Sequence, residues 1–304
     1  MFIVGPTAVG KTETAIELAR HLDGEIISAD SRQIYRYMNI GTAKPTPEQR
    51  QQVPHHFIDI KNPDEYYSAG EFAREARQKI HKLLNRGIQP IVVGGSGLYI
   101  RALVDGLFEP KVADPKIKER LTQEAKEKGI RHLHERLRKI DPETAQRLHA
   151  TDTQRIIRAL EVFELTGKPF SEFLKHPPKP ADFTATFFGL TRERQRLYRR
   201  INERVDRMIE EGLVEEVKKL QSMGYGPHVN ALRTVGYREV FQYLAGELSY
   251  EQMIELIKQH SRNYAKRQLT WFGKDKRIRW LNLGDFEDIG EIVQFILEKF
   301  TAKH

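Results

Sequence analysis

Residues 1–22 read MFIVGPTAVGKTETAIELARHL, and within them Gly5, Pro6, Thr7, Ala8, Val9, Gly10, Lys11 and Thr12 match G-x-x-x-x-G-K-[ST] at every specified position. A short apolar run ending at Val4 precedes the match, and Ala15, Ile16, Leu18, Ala19 and Leu22 follow it at helical spacing, so the local order is strand, loop, helix. Such a P-loop binds a polyphosphate. Its glycines let backbone N–H groups turn around phosphate oxygens, and the helix N-terminus adds a favourable dipole. Lys11 brings a positive charge, and the Thr12 hydroxyl can ligate Mg²⁺. The motif does not name the reaction, because a diphosphate ester satisfies these groups as well as a nucleoside triphosphate does.

Working outward, GEIISAD (24–30) and IQPIVVGG (88–95) are short apolar runs, and a helical pattern from Ala69 to Asn85 lies between them. Strands alternating with helices predict a parallel sheet whose loops after Val4, Ser28 and Val93 open at one edge, where ligands bind. The second buried run ends in glycines and not in the aspartate that holds the metal in many P-loop NTPases, which argues against an ATPase. From about Pro110 to Pro180 the pattern is charged and helical, closing in KHPPKP. Strand character returns at TATFFGL and RIRWLNL, with helices expected over Arg194–Met223 and Tyr250–Phe272. The expected fold is therefore α/β, a P-loop NTPase-like parallel sheet flanked by helices, with an inserted all-helical domain. The core domain is expected over 1–109 and 181–304, and the insertion over 110–180.

At 304 residues the chain can bury a substantial core without staples, and the absence of cysteine removes thiolate metal sites, a thiol nucleophile and disulfides together. The opening residues lack a basic leader and a small-residue cleavage site, and no apolar run approaches the roughly 20 residues of a membrane span. A cytoplasmic protein without membrane contact is the expectation. Fifty Lys and Arg against 42 Asp and Glu leave a charge of +8. The excess is clustered: Lys258 to Arg279 carries eight basic residues and one acid, Asp275, interleaved with Tyr264, Trp271 and Phe272. Such a stretch suits RNA, and a solvated helix face reads the same way.

Several side chains qualify for chemistry. Asp30, at the end of the second strand, is placed to act as a general base toward a weakly nucleophilic amine, or to cap the turn that follows it. Ser96, in Gly94-Gly95-Ser96-Gly97, offers a hydroxyl, although tight strand-to-helix packing explains those glycines equally well. His55 and His56 are adjacent and so diverge, which favours a structural role over metal binding. Arg155 and Arg158 share one helical face, with Ile156, Ile157 and Leu160 available for packing. A second arginine-dense helix holds Arg192, Arg194, Arg196, Arg199, Arg200 and Arg204, some of which must be solvated.

Seven segments together resemble the tRNA dimethylallyltransferase family. They are GPTAVGKT (5–12), DSRQIYRYMNIGTAKP (30–45), PHHFID (54–59), GGSGLYIRAL (94–103), QRIIRALEVFELTGKP (154–169), VGYREV (235–240) and NYAKRQLTWF (263–272), spread over nearly the whole chain. The resemblance implies transfer of a dimethylallyl group from dimethylallyl diphosphate to N6 of the adenosine on the 3′ side of the anticodon, position 37, in tRNAs reading codons that begin with U. It implies that residues 5–12 bind the diphosphate with Mg²⁺ on Thr12 and that ATP is not consumed. Asp30 would be the general base. Ser96, where the family pattern more often has threonine, and Arg194, near the leaving diphosphate, would complete the catalytic set. It further implies tRNA contacts from Asp30, Ser31, Arg32 and Gln33 and from Gln154, Arg155, Ile156, Ile157 and Arg158, by a chain acting as a monomer on the anticodon stem-loop. A target adenosine must leave its stack to reach such a site. The rival readings are a P-loop small-molecule or nucleotide kinase, a non-catalytic RNA-binding protein, and a prenyltransferase acting on free AMP. The helical insertion and basic C-terminal helix favour a large RNA acceptor over the last of these.

Overall fold

Six short strands carry the architecture of the computed structural model, which describes residues 1–107, 114–176 and 178–302. They are β1 (Phe2–Val4), β2 (Gly24–Ser28), β3 (His55–His56), β4 (Gln89–Gly94), β5 (Phe187–Thr191) and β6 (Ile278–Asn282). All pair in parallel, in the order β3-β2-β4-β1-β5-β6. The central strands β1, β4 and β5 are mostly buried and apolar, as in a parallel sheet covered on both faces, whereas the edge strands β3 and β6 are more polar. Ile3, Leu18, Ile91, Phe188 and Leu190 lie in its main core cluster. Each fully buried side chain of this size contributes roughly 1.5–3 kcal/mol.

The topology places the site. From β1 the chain crosses to β2 on one side, while β5 pairs on the other, so β1 is flanked by β4 and β5. The loops after β1, β2 and β4 therefore leave from one edge of the sheet, at the switch in winding direction where α/β sheets bind ligands. Gly5 is required where β1 ends: its φ is 145°, and a Cβ there would stand 2.4 Å from the Leu190 carbonyl oxygen.

Local signals start and stop the helices. Ser68 and Glu71 form a reciprocal capping box on Ala69–Leu84, and Ser249 and Gln252 do the same for Tyr250–Phe272. The single helix expected over 194–223 is two, Arg194–Glu210 and Leu213–Ser222. Gly212, with φ 95°, breaks it, and the periodic apolar pattern on either side conceals the break.

The chain divides into two compact units, Met1–Val104 with Asp182–His304, and Asp105–Ala181. The expected change of domain at 109/110 lies outside the described residues. The second unit packs helices Pro115–Lys128, Ile130–Ile140, Pro142–Arg147, Thr153–Thr166 and Phe170–Leu174 around Leu121, Leu133, Leu137, Ile156 and Leu160. Buried Asp141 knits it together by accepting backbone N–H groups from Thr144 and Ser171 at 3.0 and 2.8 Å.

Candidate active site

The phosphate loop wraps the start of helix Lys11–His21, with Gly10 (φ 118°) as its left-handed N-cap. Ala8 also has positive φ, 62°, a conformation that side chains with a Cβ rarely adopt. Arginines of the following half of the chain brace the loop. Arg200 Nε donates to the Ala8 carbonyl at 3.0 Å, Arg192 Nε to the Val9 carbonyl at 3.0 Å, and Arg204 to the Thr7 hydroxyl at 3.2 Å. The Lys11 ammonium folds back onto the carbonyls of Gly5 and Pro6, at 3.0 and 2.7 Å.

Four cations thus converge on the loop. Burial, with Arg204 nearby, lowers the Lys11 pKa to about 7. The Arg204 and Arg192 guanidiniums are also pushed down, first by burial. A bound polyanion would offset the cost of burying these positive charges, so the loop suits one.

Facing the loop is the segment that leaves β2. Asp30 accepts the backbone N–H groups of Arg32 and Gln33 through Oδ1, at 2.8 and 3.4 Å, which is the capping geometry. Its Oδ2 makes no hydrogen bond among the described residues, and Asp30 lines the same pocket as Lys11, Thr12 and Arg204. The capping and the chemical readings are therefore compatible: one oxygen orients the carboxylate, and the other remains for a ligand. Ser96 Oγ accepts the Ser31 N–H at 3.0 Å, which fixes the next peptide. Gln33 is held at both ends of its amide, accepting from Ser28 Oγ and donating to the carbonyls of Thr42 and Ala43. Arg32 donates to the Asn230 carbonyl at 3.2 Å.

The turn behind Gln33 rests on residues that the sequence reading did not single out. The Glu216 carboxylate accepts the N–H groups of Asn39, Ile40 and Gly41 at 2.9, 2.9 and 3.2 Å, together with the hydroxyl of wholly buried Tyr237 at 2.7 Å. Lys44, its side chain 2% exposed, donates to Asp59 at 2.6 Å and to the Tyr35 carbonyl. Positive φ at Tyr37, Ala43, Phe57 and Asp59 marks the strain these contacts hold.

The two adjacent histidines have different surroundings. His56 pairs with Glu25 at 2.5 Å, as a structural residue would. His55 lines the pocket, with Nδ1 donating to the Val53 carbonyl and a buried Nε2 that has no hydrogen-bond partner among the described residues. Its pKa is lowered, chiefly by burial. The signal was present in the sequence, since adjacent residues of a strand face opposite sides. Tyr264 and Gln268, one turn apart on helix Tyr250–Phe272, were likewise read only as part of a basic aromatic surface, and both line the pocket.

Other expected residues lie elsewhere. Arg194 is exposed, with its guanidinium 5.2 Å from the centre of the Tyr198 ring, while the loop is braced by Arg192, Arg200 and Arg204. In the helical unit, Ile156 and Ile157 are core residues, so their side chains are withdrawn from any ligand surface. Gln154 and Arg155 are exposed, and Arg155 lies 3.3 Å from Asp152. Arg158 pairs with the buried carboxylate of Glu161 at 2.8 Å. Among the described residues no group of three or more His, Asp or Glu forms a metal cluster. Thr12 does line the pocket with a hydroxyl free to face a ligand, so a divalent ion there would depend on the ligand's own oxygens for most of its shell. No described helix is long and apolar enough to cross a membrane.

Comparison with known proteins places the whole chain. The IPP transferase family model matches residues 33–275. The tRNA dimethylallyltransferase of Alkaliphilus oremlandii is 46% identical over 303 residues, covering 99% of this chain and 97% of that one. Among solved structures, the full-length tRNA isopentenylpyrophosphate transferase of Bacillus halodurans superposes with a TM-score of 0.72 at 42% identity, over 99% of this chain and 96% of that chain. Crystallographic snapshots of a eukaryotic dimethylallyltransferase acting on tRNA give a TM-score of 0.79 at 30% identity, over 92% and 73%. A phosphate loop crowded with cations, opposed by an oriented carboxylate, thus sits in a chain that belongs to the IPP transferase family.

Proposed function

We propose that the protein is a tRNA dimethylallyltransferase: it moves a dimethylallyl group from dimethylallyl diphosphate to N6 of the adenosine 3′-adjacent to the anticodon, position 37, in tRNAs reading codons that begin with U, and releases diphosphate. The observation that carries this reading is one pocket lined by both Lys11 and Arg204 and by Asp30. A leaving polyanion and an amine that must lose a proton need those two walls. The relatives compared above are named as transferases, so the kinase reading is not carried forward.

In this mechanism the diphosphate lies along residues 5–12, where Lys11, Arg204 and the loop N–H groups offset the charge that grows as the allylic C–O bond breaks. A divalent cation, Mg²⁺ in our reading, would be held by Thr12 and the diphosphate oxygens, and would supply further charge compensation. The acceptor adenine leaves its stack and presents N6 to the allylic carbon. Asp30, oriented through Oδ1, takes the N6 proton on its other oxygen as the C–N bond forms. Ser96 acts by holding the Ser31 peptide, and thereby the Asp30 loop. Asp30 to Gln33 border the acceptor, while Gln154, Arg155 and Arg158 and the basic face of helix Tyr250–Phe272 contact the stem-loop backbone. Arg194 has no contact with the loop here, and we give its catalytic role to Arg204. We further propose that the protein acts as a monomer in the cytoplasm.

The test is transfer of radiolabelled dimethylallyl diphosphate, without ATP, to unmodified tRNA and to AMP. We expect label in tRNA. Label in AMP alone would redirect the reading to free nucleotides, and transfer that depends on ATP would return it to the kinases.

A further inference from the structure

We propose that Gln268 is a positioning residue that ties the diphosphate loop to the loop carrying the general base, so that one buried amide sets the spacing between the two reacting partners. This rests on the prenyl-transfer reading above. Gln268 is 6% exposed and comes from helix Tyr250–Phe272, far in sequence from either loop. Its Oε1 accepts the Thr7 N–H at 2.8 Å, and its Nε2 donates to the Gly95 carbonyl at 3.0 Å. Since one backbone partner can only donate and the other can only accept, the orientation of the amide is fixed by chemistry.

Both contacts continue into the site. Thr7 also carries the Arg204 contact through its hydroxyl. Gly95 precedes Ser96, whose hydroxyl accepts the Ser31 N–H at 3.0 Å, and Ser31 follows Asp30. A continuous chain of bonds thus runs from Arg204 through Thr7, Gln268, Gly95 and Ser96 to the Asp30 turn. The absence of a side chain at Gly95 is part of the device: a Cβ there would stand 2.1 Å from Gln268 Nε2. A side chain that served only to fasten the helix to the sheet would not need to satisfy one group from each motif loop.

Steady-state transfer to unmodified tRNA by Gln268→Leu, Ser96→Ala and the double variant tests the link, alongside calorimetric binding of dimethylallyl diphosphate. We expect Gln268→Leu to bind the diphosphate within about threefold of wild type while kcat falls roughly tenfold to a hundredfold, the range for a slightly misplaced reacting group. Combined with Ser96→Ala, which cuts the next bond, the losses should be less than multiplicative. Gln268→Glu keeps acceptance from Thr7 but sets a carboxylate against the Gly95 carbonyl, and we expect it to fold and to show the same kcat loss. An unchanged kcat in the folded variants, or losses that multiply with Ser96→Ala, overturns the link alone. A wild-type protein that transfers nothing to tRNA overturns the reaction, and the role of the link with it.

Discussion

The two walls of the pocket are built in opposite ways. One wall, which we read as the diphosphate's side, is eight consecutive residues on one strand-to-helix turn, to which the arginines add braces. The opposite wall, which we read as the acceptor's side, is two loops, Asp30 to Pro45 and Gly94 to Gly97: Ser96 of the second fixes the Ser31 peptide of the first, and remote Glu216, with Tyr237 bound to it, holds the turn at Asn39–Gly41, where Tyr37 and Ala43 have positive φ. A wall made from contiguous backbone keeps its chemistry under most distant substitutions. A wall assembled from remote contacts does not, and it is where specificity for a large acceptor can be adjusted without disturbing the donor.

That contrast can be broken or sharpened by substitution. Among residues that support the walls, Arg204→Ala should have the largest effect, about 10²–10³ in kcat/KM, because it removes a preorganised cation from the leaving group. It should leave the Kd for tRNA nearly unchanged, as measured by filter binding. If tRNA binding falls equally, the walls are not separable.

The ionisation of Lys11 gives the next effect. With its free-state pKa at about 7, the ammonium is present below that pH, and a bound diphosphate must raise its pKa. Binding therefore takes up a proton above about pH 7, and the Kd for dimethylallyl diphosphate should rise with pH, by up to roughly tenfold per unit, until the pKa of the complex is reached. Lys11→Arg, charged throughout, should flatten this profile in calorimetric titrations.

On the acceptor wall, Glu216→Gln replaces an acceptor of three N–H groups with a side chain that is half donor. The KM for tRNA should rise about tenfold, a cost of ~1.4 kcal/mol, while the Kd for dimethylallyl diphosphate stays within about twofold. The smallest effect is expected for Arg194→Ala: its guanidinium lies over Tyr198 at an exposed site, so activity should change by less than about twofold, in keeping with the ~0.5–1 kcal/mol of an exposed cation–π contact. A loss above tenfold would reinstate Arg194 beside the diphosphate.

The same contrast explains what the sequence could reveal. The phosphate loop, the parallel strands and the helical insertion were legible because each is written in adjacent residues: a motif, an apolar run, a 3.6-residue period. Asp30 was legible as a residue at the end of a strand but not as an oriented base, since its orientation depends on the Arg32 N–H and on Ser96, 66 positions away in sequence. Glu216 carried no signal, and Tyr237 carried one only as part of VGYREV, because neither shows its contact until the fold brings it to the turn at Asn39–Gly41. His55 and His56 were legible as diverging neighbours, but which of them reaches the pocket depends on how β3 seats in the sheet. The role of Arg194 came from the family resemblance, whereas helical geometry puts Arg200 and Arg204, one turn apart, against the loop.

The central claim is that Asp30 serves the acceptor's proton and not the donor's diphosphate. It is tested most directly with Asp30→Asn, an isosteric change, by measuring single-turnover transfer to an unmodified anticodon stem-loop RNA and the Kd for dimethylallyl diphosphate on the same protein. The account predicts a transfer rate lower by about 10²–10⁴, the range for a lost general base, with the Kd within a few-fold of wild type. Undiminished transfer, or a slow rate that saturating dimethylallyl diphosphate restores, would contradict it.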